Sequence, residues 1–237
     1  MSETARLGLP LVQAAQAQKH VTVNGAFERI DALAQLVLQS RGVVTPPLAA
    51  GEGEVYAVPA GAVNGWAGHA DRLAVWLNGG WDFLDPQAGW RAWIADEGVV
   101  ALFDGVDWIG GAEAVSPGGA AFRHRIVETD HAVAPGAAST TAALIPAGSL
   151  VCGVTGRVLS DLGGTAASFR IGIGGLSDDR YGSGIGTQAG AWFRGLTSSP
   201  LAYYADTALT LTGEGGEVGG GAVRIAVHLA ELTLPRA

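Results

Sequence analysis

The sequence contains a single cysteine, Cys152, so no disulfide can form within the chain. The mostly apolar residues around it predict a buried strand in which the thiol is a small core group. No stretch reaches the roughly 18 uninterrupted apolar residues that a membrane-spanning helix needs. Residues 1–10 lack a basic segment followed by an apolar run, so we expect no secretory signal. A protein of this kind is made in the cytoplasm and reaches the outside by lysis.

Charged residues are also scarce, at 15% of the chain, and the formal net charge is −8. An acidic surface repels phosphate groups, so we expect no nucleic-acid partner and no insertion into an anionic membrane. Low charge combined with 48% hydrophobic residues argues against disorder. The 237 residues suffice for one large or two small domains, each with a core.

Glycine, by contrast, is abundant, with 37 residues that separate many short apolar runs. This pattern predicts a mainly β protein. We expect an arm and a helix in residues 1–48, a small antiparallel Trp-rich β-domain in 49–110 and a linker in 111–123. Residues 124–237 are predicted to form a β-sandwich of the jelly-roll type, because several strands alternate there between apolar and polar residues.

The N-terminal segment combines a polar arm with the one convincing helix pattern. The helix is predicted over residues 25–40, with Asn24 as its N-cap and Gly42 beyond its end. The apolar spacing fits either a short bundle between subunits or a helix that packs on its own domain. We expect a homo-oligomer, and the sequence leaves a trimer and a pentamer open. The predicted oligomerisation residues are Phe27, Ile30, Leu33 and Val37.

Six of the seven tryptophans lie in the predicted small β-domain. Aromatic rings stack on the apolar faces of sugars, but a small domain also needs them for its core. Trp66, Trp81 and Trp90 lie beside turn signals, and we predict them as an exposed carbohydrate platform, with Asp82 as a hydroxyl acceptor. Trp93 lies inside a strand pattern and is predicted to be less exposed. The other interpretation is that most of these tryptophans fill the core of the small β-domain.

A second candidate site lies in the predicted sandwich, where a polar loop precedes further aromatic residues. Aspartates in such a loop either contact sugars or cap a turn, and two carboxylates alone do not complete a calcium site. No metal and no other cofactor is predicted. The predicted carbohydrate-binding residues of this site are Asp178, Asp179, Arg180, Tyr181, Trp192 and Arg194.

Signatures of catalysis are weak. A glycoside hydrolase needs two carboxylates that flank the scissile bond. The neighbouring acidic pairs at residues 82 and 85, 96 and 97, and 104 and 107 all lie in or beside turn signals, where aspartate is expected for backbone reasons. No Gly-x-Ser-x-Gly motif occurs, and Cys152 has no evident base. We predict that the protein is not an enzyme.

Several segments carry a family resemblance, most specifically residues 7–24 followed by residues 27–33. Further matching segments are residues 54–56, 66–69, 89–93, 145–151 and 180–186. On these segments the chain resembles the head-spike, or head-fibre, proteins of alphaproteobacterial prophages and gene transfer agents, a family formerly of unknown function. The resemblance covers nearly the whole chain.

The resemblance implies a spike on the surface of a phage-like particle. Its N-terminal part would anchor to a capsid or spike-base protein, and its β-domains would bind cell-surface polysaccharide and promote adsorption to the recipient. Two other functions stay open, namely a capsular polysaccharide depolymerase and a purely structural capsid decoration or adaptor protein.

Overall fold

The computed structural model describes residues 3–12 and 19–237 and divides the chain into two compact units, Met1–Gly119 and Ala120–Ala237. The described part is mainly β, as the sequence predicts. The boundary between the units falls inside residues 111–123, the predicted linker. The N-terminal helix and the Trp-rich strands belong to the same unit. Residues 13–18 of the predicted arm lie outside the described residues.

Helix α1 spans Lys19–Leu33, so the prediction of residues 25–40 is wrong at both ends. Asn24 is not an N-cap but lies inside the helix, where its Oδ1 accepts a hydrogen bond from the backbone N–H of Val12 at 2.8 Å. The chain leaves the helix at Gln35, whose φ of 51° cannot continue a right-handed helix. The apolar periodicity runs on because the buried residues that follow belong to a strand.

The N-terminal segment folds back onto the end of α1 through Asp31 and Arg6. The buried Asp31 carboxylate accepts hydrogen bonds from Thr4 Oγ1 at 2.7 Å and from the backbone N–H groups of Arg6 and Leu7 at 2.9 and 2.6 Å. The Arg6 guanidinium donates to the carbonyl oxygens of Asp31 and Ala32, at 3.2 and 2.7 Å. These carbonyls lie at the helix C-terminus, where no backbone partner follows. The segment therefore fixes where the helix ends.

The predicted oligomerisation residues do not form one helical stripe. Ile30 is exposed, at 52% of its surface, and Phe27 is half-buried. Leu33 packs against the core of the first unit, and Val37 lies in a strand beyond the helix. A helix surface that includes Val37 is therefore wrong, because the helix ends four residues too early for it.

The first unit contains a seven-stranded sheet in the order β4-β3-β2-β1-β5-β6-β7. The central β1 is parallel to both of its neighbours, and the remaining neighbours are antiparallel. The strands β3 and β4 form a hairpin whose turn residues Asn78 and Gly79 both have positive φ, as an Asn-Gly turn predicts. A further short strand, β8, is Ala112–Val115. The strands of the sheet are β1 Val37–Leu38, β2 Val55–Ala57, β3 Leu73–Leu77, β4 Gly80–Leu84, β5 Arg91–Ile94, β6 Val99–Phe103 and β7 Trp108–Gly110.

Side chains pack on both faces of this sheet, one face being covered only in part. On one face, Ala32 at the end of α1 and Leu36 just beyond the helix pack against a core that includes Leu38 and Ile94. On the other face, a smaller aromatic cluster surrounds Trp66. Because successive side chains of a strand point to opposite faces, neighbouring residues of β4 serve different cores.

The second unit is a sandwich of two antiparallel sheets, β10-β15-β12-β13 and β14-β11-β16-β9. Its strands are β9 Ala121–Ala132, β10 Ala138–Ile145, β11 Ser149–Ser160, β12 Ser168–Gly172, β13 Gly182–Ile185, β14 Trp192–Tyr203, β15 Thr207–Glu214 and β16 Ala222–Leu232.

The strand order is that of a jelly roll. The third strand of the unit, β11, and the first, β9, both flank the last, β16. Along the chain the strands alternate between the two sheets, except that β12 and β13 are neighbours in one sheet. The inner faces of the sheets share one core, to which Val154 and Ile225 contribute from one sheet and Phe169 and Leu211 from the other. The predicted sandwich of the jelly-roll type is confirmed. Its outer faces carry most of the polar side chains of the same strands, together with a few exposed apolar ones such as Trp192.

Candidate functional site

The structure does not assemble the predicted tryptophan platform. Trp66 is 0% exposed, so its predicted exposure is wrong. It ends a 3-10 turn, Asn64–Trp66, that brings its ring 5.1 Å from that of Trp81 and 5.4 Å from that of Tyr56. Trp81 is half-buried in this cluster, whereas Trp90 packs against the core on the other face of the sheet. The turn that ends at Trp66 thus buries its ring in a small aromatic core, and does not expose it to solvent.

Asp82 does not lie beside the ring of Trp81 either. The two residues are neighbours in β4, so their side chains point to opposite faces of the sheet. Asp82 accepts a hydrogen bond from Arg29 Nε of α1 at 2.8 Å. Its carboxylate therefore ties the helix to the sheet, and its predicted role at an aromatic platform is wrong.

The tryptophan that the first unit does expose is Trp93, at 44% of its surface, although its position inside a strand predicts the opposite. Trp93 is paired with the exposed Val100 across β5 and β6. Alternation in β5 buries its neighbours Ala92 and Ile94 and turns the indole outward.

The acidic pairs considered for catalysis have structural partners. Asp104 Oδ1 accepts hydrogen bonds from the backbone N–H groups of Val106 and Asp107, both at 2.9 Å, as a turn-capping aspartate does. Three other members of the pairs form ion pairs, namely Asp82 with Arg29 at 2.8 Å, Asp85 with Arg72 at 2.7 Å and Glu97 with Arg41 at 2.6 Å.

The predicted polar loop of the second unit is held by its own contacts. Asp178 accepts a hydrogen bond from Arg170 Nε at 2.8 Å, and Arg180 donates one to Ser177 Oγ at 2.7 Å. The carbonyl of Asp179 accepts from the backbone N–H of residue 182 at 3.0 Å. Tyr181 is buried, so its prediction as a sugar contact is wrong. The ring of Tyr181 belongs to the core of the sandwich, because its backbone N–H donates to the carbonyl of Ile171 in β12 and its side chain packs among the buried residues between the sheets.

Two of the predicted residues, Trp192 and Arg194, do lie together on an open surface. Both belong to β14, the edge strand of its sheet, and both point outward, while Phe193 between them points into the core. The Trp192 side chain is 63% exposed. Its indole is therefore available to a ligand without any rearrangement of the sandwich.

A groove of about 470 Å³ crosses the outer face of this sheet beside Trp192. The strand register places two rows of side chains across it from β14 to β9. The small side chain of Ala226 forms part of its floor. The first row consists of Trp192, Arg157, Arg224 and Asp130, and the second of Arg194, Thr155, Ala226 and Glu128.

The charges in this groove are distributed unevenly. At one end, Arg224 donates two hydrogen bonds to Asp130, from Nε at 2.6 Å and Nη2 at 2.7 Å. These bonds lower the pKa of the Asp130 carboxyl from its ordinary value and raise the pKa of Arg224. At the other end, Arg157 and Arg194 have no carboxylate partner within residues 3–12 and 19–237.

Polar acceptors complete the groove. Thr155 Oγ1 lies 3.0 Å from His228 Nε2, which holds the hydroxyl at the groove wall. The side chain of Glu128 lies beyond Ala226 in the same row. The groove thus offers a flat apolar ring, guanidinium donors and carboxylate or hydroxyl acceptors, which are the groups that bind sugar rings and their hydroxyls.

Sequence reasoning missed five of the side chains that line the groove, and the backbone of Gly156 between them, although part of the signal was present. The alternation of β16 already places Arg224, Ala226 and His228 on one face. What the sequence does not reveal is that β11 and β14 lie beside this strand, since that depends on long-range pairing. The missed lining residues are Glu128, Thr155, Arg157, Arg224 and Ala226.

Among the residues that the structure describes, no group of three or more His, Cys, Asp or Glu side chains is placed to hold a metal ion. In the same residues, no helix has both the length and the apolarity to cross a membrane.

Residues 23–109 match the model of a family described as "Protein of unknown function (DUF2793)". This range covers most of α1 and the sheet of the first unit, and it does not extend into the jelly roll. No curated protein matches the sequence. Among solved structures, a chain of the "Cyanophage Pam1 capsid asymmetric unit" matches 46% of this chain and 86% of its own length, with 22% identity. The TM-score of 0.34 is too low to establish a shared fold.

Proposed function

We propose that the protein is a head-spike or head-fibre component of a phage-like particle of the gene transfer agent type, and that its jelly roll binds polysaccharide on the recipient cell. The observation that carries the proposal is the groove beside the exposed Trp192. Stacking of a sugar on the indole buries apolar area at low entropic cost, and Arg194 and Thr155 lie close enough to bond the hydroxyls of the same ligand.

The jelly roll is compatible with both halves of this function, because the architecture occurs in viral capsid proteins and in lectins. A fold alone does not define a function, and the groove supplies the specific chemistry. The first unit is the proposed attachment region, in line with the resemblance of residues 7–24 to head-spike proteins. Its helix α1 exposes Val21 and Ile30, two apolar side chains suited to contact with a capsid or spike-base protein.

The polysaccharide half of the proposal is tested by affinity electrophoresis of the full chain in gels that contain capsular polysaccharide from recipient alphaproteobacteria. We expect the wild-type protein to be retarded and Trp192→Ala to bind about tenfold more weakly, because an anchoring aromatic ring contributes a large share of such binding. Tyr204→Ala is the matched control, since this ring is 91% exposed but lies outside the groove. Equal retardation of Trp192→Ala and wild type would sink the proposal.

We further propose that binding is not accompanied by cleavage. The size distribution of the polysaccharide, measured by size-exclusion chromatography after incubation with the protein, should stay unchanged. Release of oligosaccharides would instead favour the depolymerase function.

The particle half is tested by cryo-EM of particles produced with and without the gene for this chain. We expect density on the head to be missing from the deletion particles and recovered on complementation. Heads of identical appearance would contradict a spike. Restored head density without any polysaccharide binding would leave a structural decoration protein.

A further inference from the structure

We infer that the groove selects an anionic polysaccharide, with a carboxylate-bearing sugar held beside Trp192 by Arg157 and Arg194. The inference rests on the proposed function and names the chemical class of its ligand. Three observations support it. They are the lack of a carboxylate partner for these two arginines, their position beside Trp192, and the acidic residues at the far end of the groove.

The chain is acidic, with 22 Asp and Glu residues against 14 Lys and Arg, so an arginine on its surface readily finds a carboxylate. Among the described residues, seven of the 13 arginines form ion pairs with carboxylates. Arg157 and Arg194 are among the arginines that form none, and these two lie at the same end of one groove. The arginines that form ion pairs are Arg29, Arg41, Arg72, Arg123, Arg125, Arg170 and Arg224.

The two guanidinium groups without a carboxylate partner lie beside the exposed indole, and Arg157 Nη1 donates one long hydrogen bond, at 3.4 Å, to the carbonyl of Gly190. Arg157 is directly opposite Trp192 in the pairing of β11 with β14, and Arg194 follows Trp192 two positions along the same strand and face. Opposite residues on one face lie about 5 Å apart, and residues two positions apart lie roughly 7 Å apart. A sugar stacked on Trp192 therefore has two guanidinium donors close to it. A guanidinium binds a carboxylate through two parallel hydrogen bonds, a geometry that a neutral hydroxyl cannot match.

The opposite end of the groove carries negatively charged side chains. Asp130 and Glu128 on β9 repel an anionic sugar, and Arg224 is held by Asp130. The carboxylate-bearing sugar is thereby directed to the β14 end of the groove. Glu128 at the β9 end then accepts hydrogen bonds from the hydroxyls of a neighbouring sugar of the polymer. The four strands span three spacings, about 14 Å in all, which accommodates a short stretch of polymer and not only a single sugar.

The test compares each acidic polymer with its own carboxyl-reduced derivative, which keeps the sugar backbone and removes the charge. Polygalacturonate, alginate and hyaluronan are immobilised in both forms, and binding of the full-length chain is measured by biolayer interferometry. We expect at least one acidic form to bind about tenfold more tightly than its reduced form. Ionic strength of about 1 M, where the Debye length is roughly 3 Å, should remove most of that difference.

Arg194→Gln and Arg157→Gln are each expected to lower the affinity for the acidic form about fivefold or more and to change the affinity for the reduced form less than twofold. Arg180→Gln is the matched control, because this arginine also lacks a carboxylate partner among the described residues but lies outside the groove. It should bind as wild type. Circular dichroism of each variant verifies that the exposed substitution leaves the fold intact.

Reduced polymers that bind as tightly as acidic ones, with Trp192→Ala still deleterious, would overturn the anionic selectivity and leave the proposed polysaccharide binding in place. Failure of every polymer to bind in either form would overturn both. An equal loss in Arg180→Gln would also overturn the inference, because it would show that net charge matters and the groove does not.

Discussion

The hydroxyl groups of Tyr181 and Tyr203 lie 2.6 Å apart inside the jelly roll and share a hydrogen bond. Burial raises the pKa of the Tyr181 phenol, and the bond to Tyr203 raises it further. Tyr181 precedes the short strand β13, and Tyr203 ends β14, so the bond connects strands that belong to different sheets. The polar atoms of both rings are thus satisfied without solvent.

Replacement of either tyrosine by phenylalanine should lower the free energy of unfolding by about 1–3 kcal/mol, because the remaining hydroxyl stays buried without its partner. The double variant should lose less than the sum of the two single losses. Native-state hydrogen exchange at β13 and β14 measures these changes locally. Tyr204→Phe, at an exposed ring, is the control and should have no effect. Strictly additive losses would show that the two hydroxyls are not coupled.

The buried Asp31 carboxylate, which binds Thr4, Arg6 and Leu7, should be a main determinant of stability in the first unit. Asp31→Ala is expected to lower the free energy of unfolding by about 2–4 kcal/mol, because three hydrogen bonds to a charged acceptor are lost. Hydrogen exchange of residues 4–7 should accelerate as their segment detaches from the helix. Asp96→Ala, at an exposed position, should change stability by less than about 0.5 kcal/mol. An unchanged exchange rate in Asp31→Ala would contradict this role.

Replacement of a buried tryptophan should destabilise the protein much more than replacement of an exposed one. Trp66→Ala is expected to cost about 3–5 kcal/mol, since it opens a cavity between Tyr56 and Trp81. Trp192→Ala should cost less than about 1 kcal/mol, because most of that side chain is in solvent. Thermal unfolding followed by circular dichroism distinguishes the two. A normal melting curve for Trp66→Ala would be incompatible with its enclosed position.

His131 should make the jelly roll less stable below neutral pH. Burial lowers the pKa of the imidazole from its ordinary value, and its Nε2 lies 2.8 Å from Ser139 Oγ. The unfolded chain takes up the proton near pH 6.5, whereas the folded chain does so only at a lower pH. Between these two values the unfolded state binds more protons, so stability falls as the pH decreases, and the full contribution of the neutral ring is present above about pH 6.5.

The measurement is urea unfolding of the wild type and of His131→Gln between about pH 5 and pH 8, a range in which few carboxylates titrate. The wild type should lose stability on the acidic side, and the variant should show a flatter profile. Parallel profiles for the two proteins would assign the pH dependence to other groups.

Local features of the fold were predictable from the sequence because short-range chemistry decides them. Asn78 and Gly79 specify the turn of the β3–β4 hairpin, and alternation identifies β16 as a half-buried strand. The end of α1 was not predictable in this way, since the guanidinium of Arg6 and the left-handed conformation of Gln35 determine it. The apolar spacing typical of the helix continues past its end, because the apolar residues that follow belong to β1.

The exposure of the tryptophans depends on what covers each face of the first sheet. Proximity to a turn suggested that Trp66 is exposed, yet the 3-10 turn folds its ring over Tyr56. A position inside a strand suggested that Trp93 is enclosed, yet the outer side of β5 is open. For the groove, residues 155 and 226 become neighbours only through the jelly-roll pairing, which no local pattern encodes.

The chain enters and leaves the jelly roll at one point. Because β9 and β16 are neighbours, the backbone N–H of Ala121 reaches Thr233 Oγ1 at 2.7 Å, and the backbone N–H of Thr233 donates to the carbonyl of Ala121 at 2.9 Å. Adjacent ends are the geometry that tolerates transplantation into a surface loop of another protein, through two short joints. An unrelated host protein that carries residues 121–233 in a surface loop would thereby acquire the jelly roll and its groove beside Trp192, without the first unit.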